Sequence, residues 1–172
     1  MARFQRDWFV PFVAVVVIVA DQWSKAFVRS HLPLGVPWDP VPALRPILSF
    51  THVQNLGAVF GLFPQLHWFY PIPSVIVTCL LLVLYRRFAS YGPIVLLAFG
   101  LQLGGTVGNL IDRLRQGYVT DFIDLNFWPL QEWAVFNIAD SAVVVGVVIL
   151  AAYMLLAGEL DPDRDHLDVL PG

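Results

Sequence analysis

Charge is scarce in this chain. Only 13% of its 172 residues are Asp, Glu, Lys or Arg, whereas 58% are apolar. A soluble domain carries about 25% charge, so there is too little here to cover a water-facing surface, and a soluble enzyme is excluded. Clustered basic residues are also missing: ten Lys and Arg stand singly or in pairs under a net charge of −3. A phosphate backbone needs a basic stripe, so no nucleic acid partner is expected. One cysteine, Cys79, allows no disulfide framework and no CxxC metal pair. It lies within Val77 to Leu81 and reads as a small buried hydrophobe. The four histidines, His31, His52, His67 and His166, show no HExxH spacing, so neither a metal site nor a cofactor is expected. GxSxG is absent, and Ser24 and Lys25 are adjacent, about 100° apart on a helix, which does not make a Ser/Lys pair. Internal repeats and low-complexity tracts are lacking too.

What the chain has is long apolar runs. A membrane helix needs about 20 mostly apolar residues, and four such stretches fit, at about residues 8–28, 66–85, 93–112 and 133–157. The first follows Arg3 and Arg6 and resembles a secretory signal, but Asp21 to Lys25 stand where small cleavage-site residues belong. It reads as a retained span. Pro71 and Pro73 sit near the start of the second, where proline is tolerated, and Arg86 and Arg87 end it. Gly100, Gly104, Gly105 and Gly108 put small residues on one face of the third, for close helix packing. With four spans both termini share a side, and the two arginine pairs make that side cytoplasmic. Residues 31–65 and 113–132 then face outward, and the acidic stretch 159–172 reads as a disordered cytoplasmic tail.

In the first outward segment, Ile47 to Val53 alternates loosely with a β-like period, predicting a small sheet. Thr120 to Trp133, rich in Phe, Trp and Leu, suits an interfacial element. The expected fold is a polytopic α-helical membrane protein: four transmembrane helices, a small extramembrane β-sheet and an interfacial element on the outer side, in a single domain.

Polar groups in an apolar layer cost several kcal/mol unless paired or wetted, which makes each a functional candidate. Asp21 and Lys25, four apart, share a helix face and read either as a structural ion pair or as part of a site. Asn109, Asp112 and Arg113 form one stripe on the third span, in which Asp112 and Arg113 suit an interfacial pair. Asn137 and Asp140 lie at i and i+3 on the fourth, two turns beyond Trp133, and a lone carboxylate there needs a partner or a proton. Asp121, in a loop, is by itself an ordinary solvated aspartate. If that loop folds back, Asp121 and Asp140 meet in a poorly hydrated site and share a proton, which an aspartyl protease requires. A proton-coupled transporter component and a non-catalytic membrane scaffold are the competing readings.

Five ordered blocks sharpen the choice: Asp21 Gln22 through Lys25, Asn55 Leu56 Gly57 Ala58 Val59 Phe60, Gly108 to Arg113, Val119 Thr120 Asp121 Phe122, and Phe136 Asn137 Ile138 Ala139 Asp140 Ser141. Together they resemble the lipoprotein signal peptidases, or signal peptidase II, the bacterial intramembrane aspartyl proteases that mature prolipoproteins. The resemblance implies that Asp121 and Asp140 are the catalytic dyad. It makes Asn55, Gly57, Asn109, Arg113 and Asn137 lining or organising residues, with Asp21 and Lys25 the polar pair at the outer end. Arg113 is expected to pair with a carboxylate or backbone carbonyls. Leu56 and Val59 depart from the family pattern, which usually has a polar residue such as Thr and an Ala there. The implied substrate is a diacylglyceryl-modified prolipoprotein, cut just before its lipidated cysteine. The implied place is the bacterial inner membrane, with the site near the outer face, membrane lipid as surroundings and a monomer as the expected unit.

Overall fold

The computed structural model describes residues 3–57, 71–88 and 92–159. Four helices dominate it: α1 (Arg3–His31), α2 (Pro71–Phe88), α3 (Pro93–Gln116) and α4 (Ile138–Glu159). Each carries a stretch long and apolar enough to cross a membrane. At about 1.5 Å per residue, the 24 residues of α3 cover about 36 Å, more than the hydrocarbon layer. Residues 66–70 of the second expected span and the tail from 160 onward lie outside the described residues.

Helix α3 is the centre of the bundle, packing against α1, α2 and α4. Its glycines explain how the helices come so close. A Cβ on Gly100 would stand 2.6 Å from Val13 Cβ, and one on Gly104 2.7 Å from Val17 Cβ, so this face is closed onto α1. A Cβ on Gly105 would run into the carbonyl oxygen of Ala139, and one on Gly108 would meet Asp21 Oδ2 at 2.7 Å. Gly105 therefore sets the α3–α4 distance one turn from the polar stripe. Substituting Gly105 by Ala should cost about 1–3 kcal/mol, because the clash is with backbone that cannot rotate away. Thermal unfolding in detergent checks this.

At the end of the bundle where α1 and α3 finish and α4 begins lies an antiparallel sheet of β1 (Pro37–Trp38), β2 (Leu48–Asn55) and β3 (Val119–Leu125), in that order. The predicted β-like run is its central strand. The segment read as interfacial begins as β3, and its remainder is irregular chain. Gly117 makes this possible. At φ 80° it ends α3 in the left-handed conformation, its N–H donating to Arg113 O, and the chain turns at once into β3.

The fourth helix starts later than expected, at Ile138 rather than near residue 133. Phe136 is used by the sheet instead, bridging Ile123. Asn137 then caps the helix: its Oδ1 accepts from Asp140 N at 2.9 Å, while Asp140 Oδ2 accepts from Asn137 N at 3.2 Å. This reciprocal pair satisfies two otherwise orphaned amides and fixes where α4 begins. Cys79 also differs from expectation. It is on the exposed surface of α2, alongside Val75, Ile76, Leu80 and Val83, on a helix with few buried positions. In a membrane such a surface meets lipid, so an apolar run predicts burial from water but not burial inside the protein.

Candidate active site

The polar residues collect where α1, α3, α4 and β3 converge. Lys25 is at their centre and is fully buried. Its ammonium lies 2.9 Å from Asp21 Oδ2 and 3.1 Å from Asp112 Oδ2, and donates to Asn109 Oδ1 at 2.8 Å. Three donors thus meet three acceptors, the arrangement under which a buried charge is tolerated. Asp21 also accepts from Ala139 N at the start of α4. Asp112 accepts from Thr120 N at the start of β3. The ion cluster therefore fixes α1, α3, α4 and β3 relative to one another.

Asp112 and Arg113 are not the pair that their adjacency suggested. Consecutive helix residues point about 100° apart. Asp112 faces α1, while Arg113 faces α2 and donates to Ser74 Oγ at 2.9 Å, a hydroxyl rather than a carboxylate or a main-chain carbonyl. Arg113 lines a cleft of about 310 Å³ with Pro73, Ser74, Asn109, Asp140 and Val143.

Asp121 and Asp140 are brought together by the return of the chain from β3 to α4, which Phe136 pins to Phe122 and Ile123 through main-chain hydrogen bonds. Three asparagines hold the two carboxylates. Asn55 Nδ2 donates to Asp121 Oδ2 at 2.9 Å, and Asn137 Nδ2 to Asp121 Oδ1 at 2.6 Å. Asn109 Nδ2 donates to Asp140 Oδ1 at 2.7 Å.

The orientation of each amide follows from its other end. Asn109 Oδ1 receives the Lys25 ammonium, Asn137 Oδ1 receives the Asp140 amide, and Asn55 Oδ1 receives the Gly57 amide at 2.9 Å. All three of those groups can only donate, so in each asparagine the oxygen faces them and the NH2 faces a carboxylate. Gly57 reaches its position at φ 68°, a conformation that suits glycine and strains a residue with a Cβ. Asn137 Nδ2 also donates to Asn109 Oδ1 at 3.2 Å, which links the two halves.

Asp121 is almost fully buried, and that desolvation pushes its pKa up to about 6; the Asn55 bond pulls it down, the nearby Asp140 charge raises it, and the Asn137 bond lowers it. A carboxylate poised near neutrality in a desolvated pair is suited to proton transfer.

Several residues of this network were not singled out from sequence. Gln22 Nε2 donates to Gly108 O and Asp112 Oδ1, both at 3.1 Å, and Arg29 reaches Thr120 Oγ1 at 3.1 Å. Both lie near one face of α1 with Lys25, at −3 and +4, a spacing that points to them once Lys25 is taken as buried. Ser74 gave no signal, because a serine in an apolar helix commonly bonds its own backbone. Ala58, Val59 and Phe60, the end of the Asn55 block, lie outside the described residues. Leu56 is half exposed beside Asn55.

Comparison with known proteins identifies the family. The family model described as Signal peptidase (SPase) II matches residues 13–156. The lipoprotein signal peptidase of Moorella thermoacetica is 41% identical over 153 residues, covering 87% of this chain and 97% of that protein. That of Halothermothrix orenii is 38% identical over 145 residues, covering 84% and 94%. Among solved structures, one described as a bacterial membrane enzyme solved by the in meso method at 2.3 Å superimposes with a TM-score of 0.78 at 28% identity, covering 90% of this chain and 92% of that one. A second, at 1.9 Å, gives 0.76 at 30% identity, covering 85% and 92%. The chain, a multi-pass bacterial membrane protein, belongs to the signal peptidase II family of proteases.

Proposed function

We propose that this protein removes the signal peptide from prolipoproteins carrying a diacylglyceryl-modified cysteine, cutting just before that cysteine, with Asp121 and Asp140 as its catalytic pair. The observation that carries this reading is the set of three asparagines whose amide NH2 groups are all forced toward the two carboxylates. Such donors keep both side chains in place while one proton moves between water, carboxyl and substrate.

In the reaction, the ionised carboxylate takes a proton from water as the water oxygen bonds to the scissile carbonyl carbon, and the protonated partner gives its proton to the carbonyl oxygen. When the tetrahedral species collapses, the C–N bond breaks. The carboxyl that gained a proton from water delivers one to the leaving amine, and the hydroxyl proton returns to the other carboxylate. The cleft between α2, α3 and α4 suits the substrate: Val143, Val144 and Val77 give it an apolar wall for chain in hydrocarbon, while Arg113 and Asp140 mark its polar part. Arg113 supplies a fixed positive charge beside the pair, where negative charge builds up in the transition state.

The opposite half of the bundle is closed by Val10, Ala14, Leu81, Val95, Leu96, Phe99 and Leu103. This apolar plug supports a peptidase over an ion path. The site end lies away from Arg86 and Arg87, which supports a site near the outer face with the termini cytoplasmic.

The test is incubation of the purified protein with a lipidated prolipoprotein in detergent, where the shortened product is expected. Its rate against pH should show a limb near 6, set by Asp121. Asn55→Ala removes a hydrogen bond that favours the ionised form, so the limb should move to higher pH; a limb that stays in place refutes the Asn55 contribution.

A further inference from the structure

The strand that carries Asn55 contains an irregularity with a consequence for the site. In β2 and β3, Leu48, Ser49 and Phe50 face Leu125, Asp124 and Ile123, but farther along Val53, Gln54 and Asn55 face Asp121, Thr120 and Val119. Between these two runs β2 has two residues, Thr51 and His52, where β3 has only Phe122. One extra residue is a β-bulge, and because side chains alternate, it inverts the face of everything after it. Had the first register continued, His52 would stand opposite Asp121 and Gln54 opposite Val119. With the bulge, Val53 stands opposite Asp121, and Asn55 takes the diagonal position on the same face, from which its Nδ2 reaches Asp121 Oδ2.

The bulge is held from α1. His52 is buried, and its Nδ1 lies 2.9 Å from Leu32 O. A carbonyl only accepts, so Nδ1 carries the proton and donates. The main chain adds a bond from Gly35 N to His52 O, also 2.9 Å, and His52 bridges Leu34. Nε2 is buried without a hydrogen-bond partner among the described residues. A polar ring placed there at that cost, with one nitrogen satisfied, points to Nδ1 as the useful atom.

We infer that His52 is a positioning residue for the reaction: by tying the bulge to Leu32 at the end of α1, it sets the register that aims Asn55 at Asp121. This rests on the reading of Asp121 as one of the two reacting carboxylates. His52 touches neither carboxylate and acts only through Asn55.

The test compares His52→Asn, His52→Gln and His52→Ala in the full chain, in detergent with a lipidated prolipoprotein. The amide nitrogen of Asn falls where Nδ1 does, and that of Gln where Nε2 does. The Asn variant should keep kcat within about threefold, while the Gln and Ala variants lose about tenfold in kcat with KM unchanged, the scale of one hydrogen bond to a charged group. In an Asn55→Ala background, adding His52→Ala should cost less than about twofold more, because both act on the same contact. Rescue by Gln and not Asn, multiplicative losses in the double variant, or a lowered Tm with kcat intact would each overturn the inference. If the Ala variant does not insert, the Asn and Gln variants decide it. Asp121→Asn is run alongside: cleavage by that variant refutes the role of Asp121 itself, whereas an inactive Asp121→Asn beside a fully active His52→Ala refutes only the role of His52.

Discussion

Replacing either Asp121 or Asp140 by Asn should lower cleavage by about a thousandfold or more, since a proton-transferring group contributes about 10²–10⁴ and each carboxyl acts in both halves of the reaction. Folding should respond quite differently at the two positions. Asp140 caps α4 with Asn137 and accepts from Asn109. An amide there can accept at one atom only, so a loss of about 1 kcal/mol is expected. Asp121 is the contrasting case. Its pKa is raised in the folded protein from the ordinary 3.8 to about 6, chiefly by burial. Between those values the folded state binds more protons than the unfolded state, so this group's contribution to stability falls as pH rises through that window. Above pH 6 the ionised carboxylate is held at a cost that Asn does not carry. Asp121→Asn should therefore be relatively more stable at pH 7.5 than at pH 4 when each is compared with the unchanged protein. Thermal unfolding at the two pH values, beside product formation from a lipidated prolipoprotein, measures both effects. A residue that only held helices together would lose stability on substitution with no activity to lose; cleavage retained by either variant would remove the dyad.

The contrast between these aspartates also shows what could be read from the residues and what could not. Apolar runs predict the four helices because length and hydropathy are local properties, and the glycine spacing of α3 predicts its tight packing for the same reason. Helix starts were less legible. Residues 133–136 are apolar enough to continue α4 toward its N-terminus, but the Asn137 and Asp140 cap ends the helix there and releases Phe136 to the sheet. The N-x-x-D spacing of such a cap stands in the sequence, where it reads as two polar residues at i and i+3 with a carboxylate that needs a partner or a proton. Asp121 is ambiguous in sequence because its surroundings come from two other segments: Asn55 and the register set at His52 from β2, and Asn137 at the cap of α4. Neighbouring residues carry no trace of those partners. The assignment of Asp112 to Arg113 failed for a related reason. Adjacency in sequence suggested a pair, while helix geometry turns the two side chains toward different neighbours, Lys25 and Ser74.

Lys25→Met should be the most destabilising single change. The side chain is fully buried, and so are the two carboxylates beside it. Arg29, 3.7 Å from Asp112 and partly exposed, cannot replace a cation that lies between both. Removing one partner of a buried ionic group leaves charge uncompensated, at a cost of about 3–5 kcal/mol. The change should reach the reaction as well. With no ammonium to receive, Asn109 Oδ1 keeps only the longer bond from Asn137 Nδ2, so its amide is held less firmly against Asp140. A second substitution separates the two effects. In Lys25→Met with Asp21→Asn, one of the two stranded charges is gone, so Tm should recover part of the loss. Asn109 still lacks the ammonium that held it most closely, so cleavage should stay low. Recovery of Tm and activity together would show that Lys25 serves only charge balance. Recovery of Tm alone would show that one buried lysine both joins the helices and fixes an asparagine amide against a reacting carboxylate.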